Sequence, residues 1–138
     1  MAIDLELVRA RNAFEAAQKK AAAPPKERSG FLNLARKLPA MLQTNGLLAS
    51  CAFLFAKNEP ERKAVREACR SHLDHAELAS LHAAAAKLDE VFKPSRAAAR
   101  RPLTGPELQR LTAETIAFAG WLKRAAEATC DTGEEAAP

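Results

Sequence analysis

Apolar residues recur every three or four positions along most of this 138-residue chain, and short stretches rich in proline, glycine and polar residues separate the periodic segments. Such a period places the apolar side chains on one face of an α-helix. The pattern predicts helices over residues 4–22, 29–45, 46–57, 60–73, 74–92 and 104–128. We therefore predict an all-α protein, a compact bundle of five to six short helices that forms a single domain over residues 1–130.

Proline and glycine set several of the predicted helix ends. Pro24 and Pro25 end the first helix, since proline cannot donate the helical hydrogen bond. Pro39 lies inside the second helical stretch, where it predicts a kink or a break. Asn45 and Gly46 predict a turn, and the Asn45 side chain is suited to cap the helix that follows.

Two polar pairs predict helix starts through capping boxes, in which a cap residue and a carboxylate three positions later exchange hydrogen bonds. One pair is Asp74 with Glu77, and the other is Thr104 with Glu107. Pro60 suits the first turn of the helix at residues 60–73. Residues 95–102 form a basic, alanine-rich connector, and residues 131–138 form an acidic tail predicted to be disordered.

The helix at residues 46–57 is apolar nearly all round. Its large side chains are Leu47, Leu48, Cys51, Phe53, Leu54 and Phe55. A helix of this kind is typical of the centre of a bundle, so we predict that it is buried.

Composition supports the helical prediction and excludes several classes of protein. Alanine, leucine, lysine, arginine and glutamate dominate, and tyrosine is absent, which favours helices over strands. The three cysteines have no paired spacing, the N-terminus has no signal-peptide pattern, and residues 46–56 are too short for a membrane span of ~20 residues. We expect a cytoplasmic protein without membrane attachment. The net charge of +4 fits an anionic partner such as nucleic acid, and it fits an ordinary soluble protein equally well.

The sequence contains no glycine-rich phosphate loop, paired Cys-x-x-Cys, His-Glu-x-x-His or nucleophile elbow, which argues against an enzyme. One cluster needs weighing as a metal site: Cys69, His72, His75 and His82. Cys69 and His72 share a helix face, as zinc ligands can. However, Cys69 also continues an apolar stripe, and we favour a core cysteine and no metal.

Two groups of basic residues are candidates for phosphate binding. Arg62, Arg66 and Arg70 are spaced by four and make a stripe along one predicted helix, where each can donate a bidentate pair of hydrogen bonds to a phosphate. The alternative is a solvated helix face. A second group lies in the connector and comprises Arg96, Arg100 and Arg101.

A third candidate is the junction between the second and third predicted helices. Gln43, Thr44 and Asn45 are polar residues between two apolar segments, and a helix cap explains only Asn45. Arg36 and Lys37 precede them on the same helix. Together these residues can present hydrogen-bond donors to a phosphate or to a partner surface.

The sequence around this junction resembles the small-subunit family of the type III-B CRISPR (Cmr) effector complex. The resemblance lies in residues 35–39 (Ala-Arg-Lys-Leu-Pro), 43–47 (Gln-Thr-Asn-Gly-Leu) and 52–57 (Ala-Phe-Leu-Phe-Ala-Lys). The segment 114–126, which runs from a glutamate to Trp-Leu-Lys-Arg-Ala-Ala, is similar to the family's second motif. The resemblance covers nearly the whole chain.

The resemblance implies a helical, non-catalytic subunit without cofactors or small-molecule substrates. It implies several copies that stack as a minor filament along the backbone subunits, contact the large subunit and support the guide RNA–target RNA duplex in antiviral defence. The candidate RNA- or partner-binding residues are Arg36, Lys37, Gln43, Thr44, Asn45, Lys57, Arg62, Arg66, Arg70, Lys123 and Arg124. Two alternatives remain open: a helical protein–protein adaptor without nucleic-acid contact, and a small metal-dependent hydrolase that uses Cys69, His72 and His82.

Overall fold

The structure is a computed structural model that describes residues 4–93 and 102–131. All elements in these two ranges are helical, which confirms the all-α prediction. They are α1 (Leu5–Ala21), α2 (Pro25–Ala56), α3 (Pro60–Leu73), a 3₁₀-helix (Ala76–Leu81), α4 (His82–Phe92) and α5 (Gly105–Thr129). The second basic group, Arg96, Arg100 and Arg101, and the acidic tail after Asp131 lie outside the described residues.

Helix α5 is the centre of the bundle and packs against both α1 and α2. Its buried face includes Leu111, Phe118 and Leu122, each at most 1% exposed. Burial of side chains of this size stabilises a fold by roughly 1.5–3 kcal/mol each. The Cys130 thiol donates to the Ala17 carbonyl at the C-terminal ends of α5 and α1, so these two helices run in the same direction.

The chain of α2 reverses its direction at Gly46. This is the one residue of α2 with non-helical dihedral angles, φ 84° and ψ 170°. A methyl group on Gly30 would lie 3.4 Å from the Glu61 side chain, and Arg62 donates to the Phe53 carbonyl at 2.7 Å. In a straight helix, residues 30 and 53 would be ~35 Å apart, yet both contact the first turn of α3. The C-terminal part of α2 therefore folds back along α3, as the predicted turn requires.

The prediction of a break at Pro39 is wrong, because α2 continues through this residue with helical dihedral angles. Leu38 and Leu42 on either side are 1% and 2% exposed. Their burial, at roughly 1.5–3 kcal/mol each, offsets the ~3 kcal/mol cost of an interior proline. Helix α2 also begins earlier than predicted, at Pro25, which suits a first helical position because its missing N–H has no helical partner there.

Helix α2 is long and apolar enough to cross a membrane by length and composition. In this structure it bends at Gly46 and supplies buried leucines to the bundle core. The buried apolar residues of α2 therefore pack against α3 and α5.

The C-terminal part of α2 is not the buried centre that its composition predicts. Leu47 and Leu54 are buried, but Leu48 is 39% exposed and Phe53 is 37% exposed. The fold-back at Gly46 lays this segment on the outside of α3, so only one of its faces is covered. Its remaining face is apolar and exposed.

Of the three capping predictions, one is confirmed and two are wrong. Thr104 and Glu107 form the predicted box, in which Thr104 Oγ1 accepts from the Glu107 N–H at 3.3 Å and Glu107 Oε1 accepts from the Thr104 N–H at 3.0 Å. Asp74 instead ends α3, and the His75 ring caps the 3₁₀-helix by accepting from the Glu77 N–H. The Asn45 side chain makes no capping hydrogen bond, because α2 continues through it to the corner at Gly46.

We expect Gly46→Ala to lower the free energy of unfolding by about 1–3 kcal/mol, measured by urea denaturation. No atom lies within 4 Å of a methyl group added there, so the cost arises from backbone dihedrals that only glycine adopts readily. Gly105→Ala is the matched control, since its position is equally open but has no positive φ. It should be neutral or stabilise by about 0.4–1 kcal/mol. Equal effects of the two substitutions would contradict the prediction.

Candidate nucleic-acid interface

Helices α2 and α5 bring five of the predicted site residues to one side of the bundle. Arg36 Nε lies 3.3 Å from Glu127 Oε2, which joins the two helices at this surface. Lys123 lies one turn before Glu127 on the same face of α5. Lys37 and Thr44 are two turns apart on α2 and share a face. We name this the α2–α5 surface, defined by Arg36, Lys37, Gln43, Thr44 and Lys123.

Two of these cations have no counter-charge among residues 4–93 and 102–131. Lys37 and Lys123 are exposed, and neither forms an ion pair with another described residue. Gln43, Thr44 and Asn45 are exposed as well, and their side chains make no hydrogen bond within the described ranges. The reversal at Gly46 places these three polar side chains on the outside of a corner, where they are available to a partner.

Arg124 lies on a different side of α5, towards α1. Its guanidinium stacks 5.0 Å from the centre of the Trp121 ring. The Trp121 indole N–H in turn donates to Glu6 of α1 at 3.1 Å. Lys123 and Arg124, although adjacent in sequence, therefore belong to separate surfaces.

The predicted arginine stripe on α3 joins α3 to the folded-back part of α2. Arg62 and Arg66 donate to the carbonyls of Phe53 and Leu54 at 2.7 and 3.1 Å. Their guanidiniums also stack over the rings of Phe53 and Phe55, with 3.9 and 4.4 Å to the ring centres. Helix C-terminal carbonyls lack helical partners, so these arginines complete the end of α2.

Arg70 and Lys57 lie at the edges of the contact between α3 and the folded-back part of α2. Arg70 donates to both carboxylate oxygens of Asp89 at 2.8–3.0 Å and to Asp74 at 2.6 Å. These hydrogen bonds raise the pKa of Arg70, and its charge is offset by two carboxylates. Lys57 is more open, with a side chain 66% exposed and its Nζ 3.9 Å from Glu59.

The candidate metal ligands are each held by other contacts. His75 caps the 3₁₀-helix, and His82 Nε2 lies 2.9 Å from the His75 carbonyl. Burial raises the pKa of the Cys69 thiol to about 12. Within residues 4–93 and 102–131, no group of three or more histidine, cysteine, aspartate or glutamate residues is arranged to hold a metal ion.

An apolar cavity of about 70 Å³ lies between α2, α3 and α4, and its lining includes cysteine thiols, which are potential nucleophiles. Cys51 and Cys69 line it, and burial raises the pKa of Cys51 to about 11. A thiol with such a pKa is protonated at neutral pH and is a poor nucleophile. Neither cysteine is therefore activated.

The largest feature that the sequence did not reveal is a buried ionic network that joins α1, α3 and α5. The Arg9 guanidinium donates to both oxygens of Glu114, each at 2.7 Å. His72 Nε2 lies 2.9 Å from Glu114 Oε2, and Asn12 Nδ2 lies 2.9 Å from His72 Nδ1. Glu114 is 7% exposed and His72 is 2% exposed. The only signal in the sequence is a glutamate inside the apolar stripe of the last helix.

The hydrogen bonds of the network assign donor and acceptor roles to its members. Asn12 Nδ2 can only donate, so His72 Nδ1 accepts and His72 Nε2 donates to Glu114. The imidazole stacks on Phe118 at 4.3 Å between ring centres, which holds it in place. Burial raises the pKa of Glu114, but the hydrogen bonds from Arg9 and His72 outweigh burial and lower it to about 2. The network therefore holds α1, α3 and α5 together, and its carboxylate stays charged at neutral pH.

Comparison with known proteins gives a family and a solved structure. The family described as CRISPR-associated protein (Cas_Cmr5) matches residues 5–129. The X-ray crystal structure of a CRISPR-associated Cmr5 family protein from Thermus thermophilus is similar, with a TM-score of 0.70 and 25% sequence identity. The alignment covers 94% of this chain and 100% of that one. No curated protein matches the chain.

Proposed function

Because this chain belongs to the Cas_Cmr5 family of CRISPR-associated proteins, the small subunits of Cmr complexes, we propose that it supports the guide RNA–target RNA duplex of such a complex without catalysing a reaction. Several copies stack as a minor filament beside the backbone subunits and contact the large subunit. The protein acts in the cytoplasm in antiviral defence, without a cofactor. The match over residues 5–129 is the observation that carries the proposal.

The chemistry of the α2–α5 surface supports duplex binding. Its two cations without a counter-charge, Lys37 and Lys123, are point charges on flexible stems that attract phosphates without reading the bases. Such contacts suit a subunit that must accept any guide sequence. The polar corner at residues 43–45 adds uncharged donors that can bond to phosphate or ribose oxygens.

The eleven candidate residues do not contribute equally in this proposal. Arg62, Arg66 and Arg70 already bond to carbonyls or carboxylates of their own chain, so binding RNA would require them to leave those partners. Lys37 and Lys123 have no partner among the described residues that they would have to leave in order to bind RNA. We therefore assign the first phosphate contacts to the α2–α5 surface, and a supporting role to Lys57 and Arg124, which lie outside that surface.

A purely protein-binding adaptor is the second candidate function. Its support is the extent to which the chain neutralises its own cations, as in Arg36 with Glu127 and Arg70 with Asp89. In an adaptor of this kind, the α2–α5 surface would contact protein alone, and the complex would bind RNA through other subunits.

Replacement of both Lys37 and Lys123 by alanine should weaken RNA binding by the assembled complex by about tenfold or more. The slope of log K against log salt should fall by about one for each phosphate that the variant no longer neutralises. The measurement is RNA affinity at several salt concentrations, with the subunit composition of the complex checked by native mass spectrometry. The control is the double variant Lys19→Ala with Lys63→Ala, which removes two exposed lysines elsewhere on the surface.

The outcomes separate the two functions. Unchanged affinity and salt slope in a complete complex favour the adaptor and reject duplex support by this surface. Failure of the wild-type chain to join the other Cmr subunits rejects both. An equal loss of affinity in the control would mean that net charge, and not this surface, governs binding.

A further inference from the structure

The folded-back part of α2 presents an exposed face without a single polar side chain. The face consists of Leu48, Ala49, Ala52, Phe53 and Ala56. Residues 46–56 contain no charged residue at all. Soluble helices usually place charged or polar residues on the solvent side, so an apolar solvent face is typical of a protein–protein contact. We name these five residues the apolar stripe.

Positive charge lies beside the apolar stripe. Arg62 stacks over the Phe53 ring and holds it in one orientation. The exposed side chain of Lys57 follows the last residue of the stripe. A partner that fits this surface therefore combines apolar side chains with negative charge.

The first turn of α1 has this complementary chemistry. Leu5 is 38% exposed and Leu7 is 57% exposed, and both are the large apolar side chains of that turn. Asp4 and Glu6 flank them. Glu6 pairs with Arg9 and accepts from Trp121 within its own chain, and its side chain is still 60% exposed. The chain thus contains one exposed apolar surface with a basic border and another with an acidic border.

We propose that the apolar stripe of one copy binds the first turn of α1 from the next copy, with Leu7 against Ala52 and Phe53. This inference rests on the stacking of copies in the proposed function and names the two surfaces that meet. The folded-back part of α2, which carries the stripe on its outer face, packs on α3, and α1 packs on α5, so the two surfaces belong to different elements of one molecule. The contact is heterologous, and repetition of such a contact builds an open filament.

The size of the stripe sets the strength of the contact. It offers two large side chains, each about two-fifths exposed, and three alanines. This is far smaller than the ~800 Å² per partner of a standard stable interface. An isolated pair is consequently weak, and the contact accumulates when copies are aligned beside a duplex and the backbone subunits.

Two substitutions test the contact, one on each of the two surfaces that meet. Neither removes a core residue. Ala52→Glu places a charge on the stripe, and Leu7→Glu places one on the α1 turn. Self-association is measured by sedimentation velocity up to about 1 mM protein, which detects contacts of millimolar Kd. Wild-type protein should form a concentration-dependent series of oligomers, and each variant alone should associate at least tenfold more weakly. Val91→Glu, at an exposed apolar residue outside both surfaces, should behave as wild type.

A mixture of the two variants gives the sharpest result. Ala52→Glu protein retains its α1 turn and Leu7→Glu protein retains its stripe, so one intact contact joins them. The mixture should form dimers and no longer species. A wild-type protein that stays monomeric overturns the inference, and so does self-association that either variant leaves unchanged.

Further outcomes identify another occupant of the stripe. If Ala52→Glu prevents entry into the Cmr complex while Leu7→Glu enters at the full copy number, the stripe faces a different subunit and the inference fails. Binding of the isolated chain to anionic vesicles that Ala52→Glu abolishes would assign the stripe to a membrane surface and also overturn it. In the first case the wild-type chain still enters the complex, so the proposed function stands while the contact between copies is rejected.

Discussion

Glu114→Gln should lower the free energy of unfolding by about 3 kcal/mol, because it leaves the Arg9 guanidinium without its buried counter-charge. Removal of one member of a buried ion pair costs about 3–5 kcal/mol in general. We expect the lower end of that range, since Arg9 is 18% exposed and keeps a second ion pair with Glu6 at 2.9 Å. Urea denaturation followed by circular dichroism measures the change.

The geometry of the network explains why glutamine does not replace the glutamate. Both oxygens of Glu114 accept hydrogen bonds from Arg9, and Oε2 also accepts from His72. A glutamine would turn an NH₂ group towards one of these donors, so a buried N–H would lose its acceptor. An unsatisfied buried donor costs about 1–3 kcal/mol by itself.

Glu127→Gln is the matched control, because it removes a carboxylate from the same helix at an exposed ion pair with Arg36. Exposed pairs contribute about 0–1 kcal/mol. An effect of Glu114→Gln as small as that of the control would show that the network adds little to stability. The m-value should remain unchanged if both variants still unfold in a single step.

Much of the fold follows from local signals in the sequence. The helical periods, the box at Thr104 and Glu107, and the turn at Gly46 depend on neighbours within four residues, so the chain itself contains the information. The prediction of a break at Pro39 is wrong because the local cost of a proline is offset by the burial of leucines on both sides. The prediction of a buried centre after Gly46 is wrong because composition reports apolar content and not which faces the fold-back leaves uncovered.

The candidate site is less predictable because its electrostatics depend on partners far apart in sequence. The four-residue spacing correctly places Arg62 and Arg66 on one face of α3, but only the fold-back brings the Phe53 and Leu54 carbonyls to them. Glu114 interrupts an apolar stripe, which indicates a buried charge. Its partner Arg9 lies 105 residues away, and no local pattern connects the two.

The network also determines how stability depends on acid. The pKa of Glu114 is lowered from 4.5 to about 2 in the folded protein, where the hydrogen bonds from Arg9 and His72 outweigh the opposing effect of burial. Between these two pH values the unfolded chain binds a proton at this position and the folded chain does not. Stability therefore rises with pH through this window. The contribution is complete above about pH 4.5 and is lost as pH falls to about 2.

Acidification of the wild type from pH 5 to pH 2 should accordingly remove about 3 kcal/mol through Glu114, at ~1.4 kcal/mol for each tenfold change in acid dissociation. The pKa of Glu107 is also lowered to about 2, by hydrogen bonds from Lys87 and Thr104, so wild-type protein alone reports both groups. The difference in unfolding free energy between wild type and Glu114→Gln isolates Glu114. That difference should shrink towards zero as pH falls through the window, because a protonated glutamate and the glutamine of the variant both lack the charge that pairs with Arg9. A difference that stays constant from pH 5 to pH 2 would mean that hydrogen-bond geometry, and not the charge of Glu114, holds α1, α3 and α5 together.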